Sequence, residues 1–193
     1  MTEHDVRAAP MGDARSRIVR AGIRCIVRDG IAGASMAAIA GEADVSKALL
    51  HYHFADRARL LAEMTTLLGR RLITRERGAL ERDETAAPVN RLWQWVRTEL
   101  DRGELRALLA LATVHDKPVR EAIEEVSTAR RTSSAVTINQ LFALLGLKSR
   151  VSTTLIAGAN VAFVDGLALD QESGRDASVS FDVFWLAMLS LGD

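Results

Sequence analysis

An all-α fold is what this sequence predicts, and three observations predict it. Hydrophobic residues fill 48% of the 193 positions, aromatics only 5% and proline three positions, a composition in which Ala, Leu and Arg favour helix over strand. Apolar residues recur at spacings of three and four in one segment after another. No stretch alternates apolar and polar residues with the Val, Ile and Thr enrichment of a strand, and the breaks between periodic segments divide the chain into about nine helices.

The first helix is expected over residues 13–29, stopping at Gly30, a natural C-terminal punctuation. Ile18, Ala21, Gly22, Cys25 and Ile26 form its inner face, while Arg17, Arg20, Arg24 and Arg28 line up on another. Ser35 caps a short second helix with Met36, Ile39, Ala40 and Ala43 at helical spacing, and Ser46 opens a third after a break at residues 43–45. Two short helices joined by about three residues make a helix-turn-helix, in which the second helix lies in the major groove and offers its N-terminal side chains to base edges. Ser46, Lys47, Ala48, Leu49, His51 and Tyr52 are the candidates on that helix. His51 and His53 point about 200° apart on a helix and cannot share a metal ion.

The order of these residues resembles the DNA-binding end of the TetR (tetracycline-repressor-like) family of bacterial regulators. Ile39-Ala40 precedes Glu42-Ala43, followed by Val45-Ser46-Lys47, then Leu50, Tyr52, His53 and Phe54, then Asp56 with Leu60 and Leu61; the match extends upstream through Ile18, Ala21 and Gly30. It departs from the family at Asp44, a turn position where glycine is usual, and at His51, a position where tyrosine is frequent. Aspartate tolerates the left-handed conformation better than most residues, so the turn survives. The resemblance implies that Arg17, near the start of the first helix, and Arg57, just behind the cap of the fourth, contact phosphate. It implies the same for Ser35 with the adjacent amide of Met36 at the second helix's N-terminus.

Asp56 caps a fourth helix running through Leu60, Leu61, Met64, Leu67, Leu68 and Leu72 to about residue 82. It joins a head, residues 13–62, to a second domain, residues 63–193, and is the natural lever between them. A break at residues 83–88 precedes a fifth helix that starts at Pro88, carries Leu92, Trp93, Trp95, Val96 and Leu100, and ends near Gly103. A Leu- and Ala-rich sixth helix is expected over residues 104–114 and a long seventh over 119–145, ended by Gly146. Two last helices, 149–169 and 177–191, flank a polar link. The first carries Gly158, Ala162 and Gly166 as a strip of small residues. The second has more apolar surface than one contact face needs, which calls for cover from a second copy.

The formal net charge is zero, so whole-chain electrostatics favour no polyanion, but residues 15–59 hold eight basic side chains against four acidic ones. The single cysteine, Cys25, falls among apolar positions and reads as a buried thiol. Residues 151–169 are apolar but contain Asn160, Asp165 and two glycines, so no membrane span is expected, and neither is a signal peptide; the expected location is cytoplasmic.

The resemblance implies a homodimer, closed through the last two helices, that binds a pseudo-palindromic operator in double-stranded DNA and is released as a repressor by a small effector. No cofactor is implied. Candidates for the effector pocket are Trp93, Leu109, His115, Phe142 and Phe163, with Met64 and Leu67 passing on the change; their mostly apolar character points to a lipophilic molecule. The competing readings are an all-α enzyme, for which no convergent carboxylate pair, nucleophile elbow or phosphate loop stands out, and a helical interaction protein that binds no DNA.

Overall fold

The computed structural model describes residues 11–81, 85–170 and 176–193. Expectations that fall on residues 1–10, 82–84 and 171–175 lie outside the described residues. The order is α1 (Met11–Gly33), α2 (Met36–Glu42), α3 (Lys47–His53), α4 (Arg57–Arg77), α5 (Pro88–Arg102), α6 (Glu104–Leu111), α7 (Lys117–Leu144), α8 (Thr153–Asp170) and α9 (Ala177–Leu189). Among the described residues the regular elements are helices, apart from one isolated antiparallel bridge between Ser149 and Gly192.

The all-α prediction holds, and the helix ends differ from it for local reasons. At Gly30 the backbone turns left-handed (φ 69°, ψ −174°), as the glycine predicts, but a further helical turn carries the chain on to Gly33. Helix α4 stops at Arg77 rather than near residue 82, because Ala79 and Leu80 fold inward and the Arg91 guanidinium donates to the Leu80 carbonyl at 2.6 Å. Helix α6 stops at Leu111 rather than residue 114, where Val114 N–H turns back to the Leu111 carbonyl. Helix α7 starts two residues earlier than expected, since Pro118 fits its first turn, where no N–H is needed. Its other end is a Schellman closure on Gly146 (φ 68°), with Leu147 N–H on the Phe142 carbonyl and Gly146 N–H on Ala143. Residues 149–152 do not join α8: Lys148 and Arg150 pair their amides with the carbonyls of Asp193 and Leu191.

A contiguous core runs from the head into the larger helical body, and α4 belongs to both. At its N-terminal end Leu60, Leu61 and Met64 are fully buried against α1 and α2, with the Met64 thioether seated over Gly22. Farther along, α4 lies closely against α7. A Cβ at Gly69 would come within 2.6 Å of both methyls of Val126, so the two helices approach over a position that holds hydrogen alone. Helix α8 is long and apolar enough to cross a bilayer, with a mean hydropathy of 1.2 over 18 residues. Its polar members are nevertheless bonded inward: Asn160 Nδ2 donates to Ser134 Oγ at 2.9 Å, and Asp165 pairs with Arg130, both partners on α7.

The β-branched Val126 cannot swing away from a new side chain at Gly69. Gly69→Val should therefore overpack the α4–α7 contact and cost on the order of 1–3 kcal/mol, read as a lower denaturation midpoint with an unchanged m-value.

Candidate nucleic-acid interface

The head is built on two serine caps. Ser35 Oγ accepts from Ala38 N–H and Ser46 Oγ from Leu49 N–H, each at 3.1 Å, and each such cap stabilises its helix by ~1 kcal/mol. Between them Asp44 adopts the left-handed conformation (φ 52°) that the sequence requires of it, and Val45 N–H closes the turn on the Ala40 carbonyl at 3.0 Å. Helix α3 is anchored by Leu50, with Phe54 closing its end; both are 1% exposed. Ser46, Lys47, Ala48 and His51 face solvent, Leu49 is half-buried, and Tyr52 is 69% exposed with its ring edge-on to His53. The candidate reading face thus stands clear of the core. No group of three or more metal-binding side chains occurs among the described residues, around His51 and His53 included.

The arginines divide by partner. Arg24 Nε and Arg28 Nη1 donate to the two oxygens of Glu42 at 2.7 and 3.0 Å, and these bonds hold the Glu42 carboxyl below the usual carboxylate range. They clamp α1 to α2. Arg15 pairs with Glu63, donates to the His53 carbonyl at 2.8 Å and lies 4.5 Å over the Phe54 ring. It locks α3's end to α1 and α4, a role that its place in the local basic surplus did not reveal. Arg17, half-buried, reaches the Asp44 carbonyl at 3.5 Å and so sits beside the turn.

Arg57, expected at phosphate, also has partners within the chain. Its Nε donates to the Ala34 carbonyl at 3.1 Å and its Nη2 to the Ile31 carbonyl at 2.9 Å. The guanidinium is a clasp between α4 and the α1–α2 link: it joins Ala34 N–H on the Ile31 carbonyl and supplies a donor to the Ala34 carbonyl between the two helices. Ser35 is exposed and Met36 half-buried at the start of α2, where the resemblance places them. Cys25 is fully buried, and burial is the main cause pushing its thiol above the ordinary value, the opposite of what a reactive thiolate needs.

The seven residues expected to form an effector pocket do not meet around one void. Met64 is sealed under Gly22, and Leu67 lines a solvent-open groove of about 550 Å³ between α1 and α4. Trp93 packs 4.8 Å from Phe181, and Phe163 stacks on Phe184 at 4.1 Å. Phe142 is buried near Gly192, Leu109 is half-buried on α6, and His115 is exposed ahead of α7.

The interior voids lie instead beside Trp95. One is lined by Glu76, Trp95, Asn160, Thr137, Phe181 and Trp185, the other by Glu76, Trp95, Arg130, Asn160 and Val164, and each holds about 10 Å³. Glu76 is 4% exposed, and burial pushes its carboxyl up to about 7 against a hydrogen bond from Ser134 and the nearby Arg130 and Arg77, which pull it down. Sequence periodicity did carry a signal: Glu76 continues the buried register of Leu68 and Leu72, and Asn160 that of Ile156 and Val164.

Two outcomes are expected. Arg57→Ala should remove both guanidinium bonds to the α1–α2 link and lower stability by about 1–3 kcal/mol, measured by thermal or denaturant unfolding; a residue serving DNA alone would leave unfolding unchanged. Because the folded-state value of Glu76 lies above the unfolded one, its contribution to stability is intact below about pH 4.5, declines above that, and is gone once pH passes about 7. Glu76→Gln should flatten that decline, so the stability difference between variant and wild type should shift in the variant's favour from pH 5 to pH 8.

Residues 18–64 match the family of bacterial regulatory proteins named tetR. No curated protein matches the chain. Its fold is shared with a transcriptional regulator from Rhodococcus sp. RHA1 (20% identity, TM-score 0.72, 93% of this chain and 97% of that one). A TetR-family transcriptional regulator from Agrobacterium tumefaciens is similar over 94% of this chain and 98% of its own (16% identity, TM-score 0.71). A chain from Saccharomonospora viridis in complex with choline is similar over 93% and 95% (23% identity, TM-score 0.69). With that match falling on the helix-turn-helix, residues 18–64 form a DNA-binding domain of the tetR family of bacterial regulatory proteins, and the described helices behind it share the fold of these solved structures.

Proposed function

We propose that the protein acts as a homodimeric repressor that reads a pseudo-palindromic operator with two copies of α3 and is released by a small effector held in the body. The carrying observation is the reading face itself: Ser46, Lys47, Ala48, His51 and Tyr52 are exposed on a helix anchored in the core by Leu50 and the adjoining Phe54. Lys47, at the N-terminus of α3, is the phosphate or base contact, and Tyr52 offers its hydroxyl to phosphate. One helix-turn-helix reads few base pairs, so useful specificity takes two recognition helices about 34 Å apart.

The last two helices supply the means of pairing. On α8 Leu155, Ala159, Ala162, Gly166 and Leu169 form one exposed stripe at helical spacing, with Leu155 and Leu169 68% and 67% exposed. On α9 Val179, Val183 and Leu186 form another, 62–72% exposed. Two such stripes meeting their copies make a four-helix contact, and the small residues of α8 let the backbones approach.

Control passes through α4. Arg75 grips both oxygens of the 1%-exposed Glu99 side chain on α5 at 2.6 Å and reaches Glu104 on α6 at 2.9 Å, while Arg71 holds the other oxygen of Glu104 at 2.7 Å. A ligand that displaces α5 or α6 therefore drags α4, and α4 carries the clasp and the core of the head. Effector and operator then weaken one another by the same factor, typically 5- to 150-fold. The choline complex of the Saccharomonospora viridis chain supports small-molecule binding by this fold.

Selection of bound duplexes from a random pool, followed by sedimentation of the protein, tests the reading. A two-fold sequence and a dimer are expected, while recovery of no symmetric sequence or a monomer at micromolar concentration would refute it. On the selected duplex, Lys47→Ala should weaken binding and lower the slope of log affinity against log salt by about 1.

A further inference from the structure

The interior of the body contains an arrangement with unmet demands. Glu76 is buried and forms no ion pair among the described residues. Around it the indole N–H groups of Trp95 and Trp185, residues 7% and 3% exposed, have no hydrogen-bond partner, and both side chains line the void that Glu76 lines. Buried donors without acceptors are rare in folded proteins and costly to keep. The remaining polar neighbours are already engaged: Asn160 Nδ2 with Ser134, Thr137 Oγ1 with the Ser133 carbonyl, and Arg130 with both oxygens of Asp165 at 3.1 and 2.6 Å.

Among the described residues none of the charges near this centre is an ion-pair partner of Glu76. Arg130 on α7 is neutralised by Asp165 on α8, and Arg77, on α4 itself, is exposed and turned to Ser133. The elements that close the site from the other sides contribute only neutral side chains to it: Leu92, Trp95 and Val96 from α5, Phe181 and Trp185 from α9. When Glu76 ionises, the nearest cations are Arg130, spent on Asp165, and the solvent-facing Arg77, so no cation inside the site pairs with it, and the aromatic rings around it have faces that attract cations.

We propose that the centre formed by Glu76, Trp95, Trp185 and Phe181 is the recognition site for a small organic cation with an apolar body and a hydrogen-bond acceptor, Glu76 supplying the countercharge. This deepens the effector-controlled repressor reading and rests on it. The ammonium group meets the Glu76 carboxylate, the rings of Trp95, Trp185 and Phe181 wall the apolar part, and an acceptor oxygen on the ligand satisfies an indole N–H. Each void holds about 10 Å³, room for a water at most, so a ligand enters by displacing Trp95, which lines both voids and stands on α5, the helix tied to α4 through Glu99. Binding at Glu76 is in this way the same event as moving α5.

Titration calorimetry on the full chain tests the assignment with probes that share a body and differ in charge: 2-phenylethylamine, tyramine and benzyltrimethylammonium as cations, 2-phenylethanol and tyrosol as neutral counterparts, phenylacetate as the anion. The amines should bind at least about tenfold more tightly than the alcohols. Their affinity should rise about tenfold from pH 6 to pH 8, because a cation displaces the proton from a carboxyl that titrates near 7 in the free protein. Glu76→Gln should abolish both the preference and the pH dependence, and Trp95→Phe, which keeps the ring and loses the N–H, should weaken tyramine more than benzyltrimethylammonium. Binding of the alcohols or of phenylacetate as tight as that of the amines, an affinity indifferent to Glu76→Gln, or no binding by any of the three cations would overturn the assignment. Release of the selected duplex by a neutral or anionic compound would overturn this inference and leave the repressor reading standing, whereas failure of the unliganded protein to bind any duplex would strike that reading itself.

Discussion

The structure depends on one helix serving two cores. Helix α4 has to bury Leu60, Leu61 and Met64 in the head, lie against α7 at Gly69, and still present Arg71 and Arg75 to α5 and α6. A 21-residue helix is about 32 Å long at 1.5 Å per residue, so it reaches from the head deep into the body. Nothing along it is interrupted by proline or by a left-handed residue, and a displacement at one end has no soft joint in which to be absorbed.

Around that helix the two halves are held by different forces. In the head, charged clamps dominate: Arg24 and Arg28 on Glu42, Arg57 on two carbonyls, and Arg15 on Glu63 and the Phe54 ring. The exposed pairs contribute little to stability, but they fix α1, α2 and α4 relative to one another, and the angle of α3 follows from theirs. In the body the contacts are mostly apolar, and polar exceptions gather in the Arg71, Arg75, Glu99 and Glu104 network and in the Glu76, Arg130, Asn160 and Asp165 centre. A buried polar cluster of this kind is a weak source of stability and a strong source of specificity, because few arrangements satisfy it.

Much of this was legible in the residues. Hydrophobic periodicity gave the nine helical segments, and Ser35, Ser46 and Asp56 gave the starts of α2, α3 and α4, since each cap is a local hydrogen bond encoded by one side chain. The exposure of Lys47 and Tyr52 followed from Leu50 and Phe54 holding the inner register. What the sequence concealed was set by long-range partners. Arg57 looks like a surface cation until Ile31 and Ala34 are brought beside it, and Glu76 looks like one more charge near a helix end until α5, α8 and α9 close over it. The pocket candidates are dispersed for the same reason: aromatic and Met residues at helical spacing pack on the core by default, Phe142 within it and Trp93 and Phe163 against it.

The economy of α3's attachment has an evolutionary corollary. Because Leu50 and Phe54 hold the helix in the core and Ser46 caps it, the side chains at positions 47, 48, 51 and 52 are excused from packing, and exchanging them carries a folding penalty of only a few tenths of a kcal/mol. Base preference can drift rapidly from lineage to lineage on an unaltered scaffold, while the interior that answers to small molecules, where every side chain has neighbours, must diversify slowly and in concert.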